Sequence, residues 1–112
     1  MTTPVRIIGS LAVLSLTAWA ASTPSAADNF EKHCTDCHGS NGKAQTRLGK
    51  KSGAKDLTNQ KAMARLSDAE VFKTIKFGRK NKKGEEKMDA FEKDLSDKEI
   101  TDLVAYVRTL AK

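Results

Sequence analysis

Five consecutive residues constrain this chain more than any others: Cys34-Thr35-Asp36-Cys37-His38. Two thiols three positions apart lie on one turn of a helix, where each can add to a vinyl group of the same porphyrin. The imidazole that directly follows the second cysteine can then bind the iron as an axial ligand. The motif therefore predicts one haem c, attached through Cys34 and Cys37, with His38 as an iron ligand.

The same spacing of two cysteines also occurs in thioredoxin-like dithiols and in zinc sites. A thioredoxin-like protein requires a βαβ context, and the chain shows no apolar alternation typical of strands. A zinc site requires four ligands, and the only histidine besides His38 is His33. We expect His33 to be exposed and structural, so haem is the favoured interpretation.

Residues 1–27 have the layout of a secretory signal peptide. Arg6 precedes an apolar stretch at residues 7–21, and small residues follow it. Ser25 and Ala27 supply small side chains two positions apart, so we predict cleavage after Ala27. The alternative is an uncleaved membrane anchor, but a membrane span needs roughly 20 mostly apolar residues and this stretch is shorter.

Cleavage there leaves one domain, residues 28–112, which in a bacterium would be located in the periplasm. We expect this domain to be a monomer without stable membrane insertion. A small domain has a thin core, and this chain contains only four phenylalanines and one tyrosine outside the leader. A covalently attached haem would supply the apolar surface that such a domain lacks.

The mature sequence indicates short helices. Asp28-Asn29 can cap a helix that runs through the cysteine motif to about Gly39. Residues 39–56 are polar, basic and rich in glycine, which predicts a long loop that covers the His38 side of the haem. A short helix is expected at residues 60–64.

Two capping boxes mark two further helix starts. Ser67 with Glu70 begins a helix that ends at Gly78, and Ser96 with Glu99 begins one that continues to about Ala111. No segment alternates as a strand would, so we predict an all-α fold.

Methionine is the expected source of a second axial ligand, because a thioether is a soft donor that suits haem iron. Met88 lies in a predicted loop beside glycine and charged residues, where core packing does not explain it. Met63 lies in a predicted helix, where a buried gap-filler is the more common role. We therefore predict Met88 as the ligand, with Met63 as its competitor and Lys87 or an external ligand if neither binds.

The chain resembles the class I cytochromes c, especially the small bacterial periplasmic monohaem proteins. The resemblance covers nearly all of the mature chain. It rests on the haem motif, Asp56-Leu57, Leu66-Ser67-Asp68-x-Glu70, Met88-x-Ala90-Phe91 and Leu103-Val104-Ala105-Tyr106-Val107-Arg108. It implies that the first and last helices pack crosswise and that His38 and Met88 both bind the iron.

The chain departs from this family at three points. Asp89 follows the proposed ligand where the family commonly has proline, and the last helix lacks the frequent tryptophan. The only prolines, Pro4 and Pro24, lie in the leader. The family usually uses a proline carbonyl to accept the ring N–H of the iron-binding histidine, so another carbonyl within residues 39–57 must take that role.

These features predict a periplasmic one-electron carrier and not an enzyme. One alternative is a haem protein with a labile or vacant sixth site that acts as a ligand sensor or weak peroxidase. Another is a fixed electron-entry subunit of a dehydrogenase complex.

The chain is basic, with a formal net charge of +6 at pH 7. A cluster of cations precedes Met88: Arg79, Lys80, Lys82, Lys83 and Lys87. Such a run is commonly a solvated loop, but beside the haem it can also be a docking face for a redox partner with an acidic surface. Nucleic-acid binding would fit the charge but not a secreted haem domain.

Overall fold

The computed structural model describes residues 2–10, 12–13 and 24–112 of the chain. Most of the apolar stretch predicted as the core of the signal peptide lies outside these residues, and cleavage after Ala27 stays a prediction. Within the described ranges, no helix is both long and apolar enough to cross a membrane.

The described part of the chain is mostly helical, which confirms the predicted class. Its elements are α1 (Ala26–His33), α2 (Thr35–His38), α3 (Arg47–Ser52), α4 (Gln60–Ala64), α5 (Asp68–Phe77), β1 (Arg79–Lys80), β2 (Glu86–Met88) and α6 (Asp97–Leu110). The helices α4, α5 and α6 begin and end within a residue or two of the predicted positions.

Helix α1 begins earlier than predicted, because its cap is Ser25 and not Asp28. The hydroxyl of Ser25 accepts a hydrogen bond from the backbone N–H of Asp28, whose carboxylate accepts one from the Ser25 N–H. This is a capping box with Asp in place of the usual Glu. The helix ends at His33, and Cys34 separates it from α2.

The prediction of an uninterrupted loop over residues 39–56 is wrong, since it contains α3. The Thr46 hydroxyl caps this helix by accepting from the N–H of Gly49, and Gly53 ends it with a left-handed φ of 68°. Gly49 is its only buried residue, and Leu48 is 51% exposed. The helix therefore has no apolar stripe from which a sequence pattern could identify it.

The segment before Met88 is a short antiparallel ribbon, whereas the sequence predicted no strand. Arg79 pairs with Met88 and Lys80 with Glu86 across a register irregularity. In the turn, the Asn81 side chain accepts hydrogen bonds from the N–H groups of Lys83 and Glu85. With only five residues in strands, the ribbon does not alter the fold class.

The first and last helices pack together, as the resemblance implies. The ring centroids of Phe30, on α1, and Tyr106, on α6, lie 5.2 Å apart. Beside them, the side-chain amide of the buried Asn29 donates to the Glu99 carboxylate at 3.1 Å. The core consists of Phe30, Leu57, Met63, Val71, Ile75, Leu95, Ile100, Leu103, Val104 and Val107.

Candidate functional site

A cleft between the helices and the ribbon contains every predicted site residue. Cys34, Cys37, His38 and Met88 all line it. Its empty space, including the open mouth, is about 1130 Å³.

The cleft walls are largely apolar and come from nearly every element of the fold. Apolar contributors include Phe30, Leu57, Met63, Leu66, Val71, Ile75, Phe91, Leu103 and Val107. The same cleft is therefore also bounded by one side of the core. An apolar macrocycle in it would complete the packing of α1, α5 and α6.

Both thiols belong to the single turn of helix formed by α2 and its cap, and neither is in a disulfide. The hydroxyl of Thr35 donates to the Glu31 carbonyl, which joins this turn to α1. Burial, with a smaller contribution from the neighbouring Cys37, raises the pKa of the Cys34 thiol to about 11. Both cysteines line one cleft, as attachment to a single porphyrin requires.

His38 is held by a backbone carbonyl from across the cleft. Its Nδ1 lies 3.0 Å from the carbonyl oxygen of Lys55. A carbonyl can only accept, so Nδ1 carries the proton and Nε2 remains free to bind iron. Lys55 thus supplies the carbonyl within residues 39–57 that the absence of proline required.

The charge state of His38 also suits iron binding. Burial lowers its pKa; the hydrogen bond to Lys55 opposes this shift, and the positive charge of Arg79 adds to it. The net shift is downward, so the imidazole is neutral at pH 7, the form that binds a metal.

Met88 lies on β2 and is half-buried at the cleft. Gly78, at φ 75°, permits this position, because a Cβ there would overlap the Met88 carbonyl oxygen. Met63 lines the same cleft from α4 and is only 2% exposed. The structure therefore brings both candidate methionines to the cleft, and the choice of Met88 stays a prediction.

His33 is not the exposed residue that the sequence suggested. It is half-buried and lines the cleft, with its ring edge-on to that of Phe91 at a centroid distance of 5.4 Å. Its position directly before Cys34 places it beside the haem motif, because α1 ends at His33 and the motif begins at the next residue.

Sequence analysis missed the residues that dock α3 on the haem motif. The Thr46 hydroxyl donates towards the carbonyl oxygens of Asp36 and Cys37, at 2.7 and 2.8 Å. Gly49 packs so closely that a Cβ there would overlap the Cys37 carbonyl oxygen. The only signal in the sequence was a glycine three residues after a threonine, which is too common to identify a contact.

Arg79 also has a role that the basic cluster did not suggest. Arg79 is half-buried and lines the cleft, and its guanidinium donates to the carbonyl oxygens of Ser52 and Gly53 at 3.4 and 3.3 Å. It therefore connects the ribbon that carries Met88 to the end of α3.

The donor set fits a covalently attached haem. Two free thiols on one turn, a neutral imidazole with a free Nε2 and a thioether all belong to residues that line one apolar cleft. Thioether bonds, an imidazole ligand and a methionine ligand are the groups with which proteins hold haem c.

Comparisons with known proteins point the same way. The family model for cytochrome c oxidase, cbb3-type, subunit III, matches residues 21–107. Among solved structures, the KustC0563 c-type cytochrome is 28% identical with a TM-score of 0.69, over 80% of this chain and 100% of that one. A tyrosine-to-phenylalanine mutant of Kustc0563 is 29% identical with a TM-score of 0.66, over 78% and 99%. No curated protein sequence matches the chain significantly.

Proposed function

Because the chain belongs to the cbb3-type subunit III family of class I cytochrome c domains, we propose that it carries single electrons between larger redox proteins in the periplasm. When bound, haem c supplies a one-electron iron couple. The observation that carries the proposal is that His38, with a free Nε2, and Met88 line the same apolar cleft as both cysteines.

Each side chain has a distinct task in this proposal. Cys34 and Cys37 hold the cofactor by thioether bonds, and His38 is the proximal ligand oriented by the Lys55 carbonyl. Met88 fills the sixth position. With both axial positions filled, a change of oxidation state needs no ligand to bind or leave, which keeps structural rearrangement small.

Exposure to carbon monoxide tests whether the sixth position is filled. We expect that the reduced protein does not bind carbon monoxide, so that its absorption spectrum stays unchanged on exposure to the gas. The intact mass should show one covalently attached haem. Rapid carbon monoxide binding by the unmodified protein would contradict the carrier function. It would favour the sensor or weak peroxidase instead.

The docking surface is proposed to be the turn of the β1–β2 ribbon. Lys80, Lys82 and Lys83 are exposed there, and none of them forms an ion pair with any described residue. Arg79 is half-buried and bound to the Gly53 carbonyl, and the Lys87 Nζ lies 3.6 Å from the Glu85 carboxylate, so both contribute less positive charge to this surface. This narrows the basic cluster to three lysines that can attract an acidic redox partner.

Neutralising these three lysines should slow electron transfer to an acidic partner. We expect the Lys80→Gln, Lys82→Gln, Lys83→Gln variant to react roughly tenfold more slowly at low salt, with rates converging as salt screens the charges. Stopped-flow kinetics over a range of ionic strength measures this. The matched control neutralises the exposed Lys61, Lys73 and Lys112 instead. Equal rates for the unmodified protein at low and high salt would rule out the docking surface.

A second candidate is a fixed subunit of a larger electron-transfer complex, because the matching family is named for an oxidase subunit. Such a subunit would co-purify with its complex from membranes or periplasm. A free carrier would instead elute alone at the size of a monomer.

A further inference from the structure

The side chain of Arg108, on α6, makes three hydrogen bonds in the region where α4 ends and α5 begins. Its Nη1 donates to the Met63 carbonyl at 2.6 Å and its Nη2 to the Leu66 carbonyl at 2.5 Å. Its Nε donates to the Asp68 carboxylate at 3.0 Å. The guanidinium thus uses its planar fork on three acceptors at once, which an ammonium group cannot reproduce.

The two residues whose carbonyls Arg108 binds also form part of the cleft wall. The side chains of Met63 and Leu66 line the cleft, and Met63 is 2% exposed. Their backbone is held by Arg108 while their side chains face the place of the cofactor. The connection between α4 and α5 is short. Among the side-chain hydrogen bonds of residues 24–112, no other one joins this connection to a distant part of the chain.

We propose that Arg108 is a positioning residue for the haem, which holds Met63 and Leu66 against the cofactor and thereby keeps the reduction potential high. The inference depends on haem in the cleft, as the family implies, and not on the identity of the sixth ligand. It assigns a functional role to a residue on the helix farthest along the chain from the haem motif.

The physical reason is the solvation of charge. The oxidised iron centre carries one more positive charge than the reduced one, and water stabilises the more charged state. A wall that excludes water therefore favours the reduced state, since burial is one of the factors that set haem potentials. A wall that is no longer held by Arg108 should admit water and lower the potential.

The decisive variant is Arg108→Lys, which keeps the positive charge and loses the fork. Any change in potential then cannot come from removal of a charge near the iron. We expect the equilibrium constant for reduction to fall at least threefold. Because a tenfold change corresponds to 59 mV for a one-electron couple, this is a fall of about 28 mV in the reduction potential. Spectroelectrochemical titration of the purified, haem-loaded protein measures the shift.

Two control variants separate this role from general effects on α6 and on charge. Lys98→Gln removes a cation of the exposed Lys98–Asp102 pair on the same helix. Asp68→Asn weakens only the ion pair between Arg108 and Asp68, whose side chain is 77% exposed. This substitution leaves the hydrogen bonds from Arg108 to both carbonyls in place. Both controls should leave the equilibrium constant within about 1.5-fold of the unmodified protein, because exposed ion pairs contribute little.

The proposal is overturned if Arg108→Lys has the same potential as Lys98→Gln, because a purely structural Arg108 would change stability alone. Leu66→Ala keeps the test decisive if Arg108→Lys does not fold. It opens the same wall without touching Arg108, so an unchanged potential in this variant also overturns the proposal. The methionine-to-iron(III) absorption band should persist in Arg108→Lys, and its absence already in the unmodified protein would count against Met88 ligation and not against Arg108.

Discussion

Replacement of Met88 by alanine should abolish the weak red band of methionine-to-iron(III) charge transfer in the oxidised protein. Only a thioether bound to the iron produces this band, and Met88 is the proposed sixth ligand. The reduction potential should fall as well, because methionine opposite histidine raises it. The vacated position should also let the reduced protein bind carbon monoxide.

Met63→Ala is the matched control, because Met63 lines the same cleft. We expect this variant to keep the band and to lose stability instead. Truncation of a buried methionine, here 2% exposed, costs about 2–5 kcal/mol. Absorption spectra and thermal unfolding of both variants distinguish the two roles. Loss of the band in Met63→Ala with its retention in Met88→Ala would reverse the assignment.

Gly49→Ala should destabilise the protein, although alanine normally favours a helix over glycine by about 1 kcal/mol. The added methyl group would overlap the carbonyl oxygen of Cys37, so α3 must move away from the haem motif. Forced overpacking of this kind typically costs about 1–3 kcal/mol. In a domain of this size, each 1 kcal/mol lowers the midpoint of thermal unfolding by roughly 4–8 °C.

Lys50→Ala provides the control for Gly49→Ala, because it places alanine at the next position of α3, where the side chain is exposed. We expect its unfolding midpoint to stay close to that of the unmodified protein. Circular dichroism melts of the haem-loaded variants measure both effects. An equal or higher midpoint for Gly49→Ala would show that α3 does not need its close approach to Cys37.

Elements with local signals were predictable from the sequence. The Ser67 and Ser96 hydroxyls accept from the N–H groups of Glu70 and Glu99, as their spacing predicted. The start of α1 was misplaced because a Ser-x-x-Asp box at Ser25 is a weaker pattern than Ser-x-x-Glu and lies within the expected leader. The capping patterns thus predicted the correct first residue for two of the three longer helices, α5 and α6.

Two elements that carry no apolar pattern were not predictable from the sequence. Helix α3 has no apolar stripe, and its place depends on Thr46 and Gly49 against the backbone of α2. The ribbon has strands of two and three residues, too short for an alternating pattern to appear. Helix α3 is positioned by the backbone it lies against, whereas the ribbon is formed by the pairing of its own two short strands.

The sequence alone determined the cofactor and its attachment, because thioether bonds and iron ligation demand particular side chains within one helical turn. Only the tertiary structure decided what surrounds them. The acceptor for His38 is the carbonyl of Lys55, and the groups that Arg108 holds are the carbonyls of Met63 and Leu66. Every residue has a carbonyl, so the type of residue at a position does not reveal which one will be used. That choice depends on where the folded backbone passes.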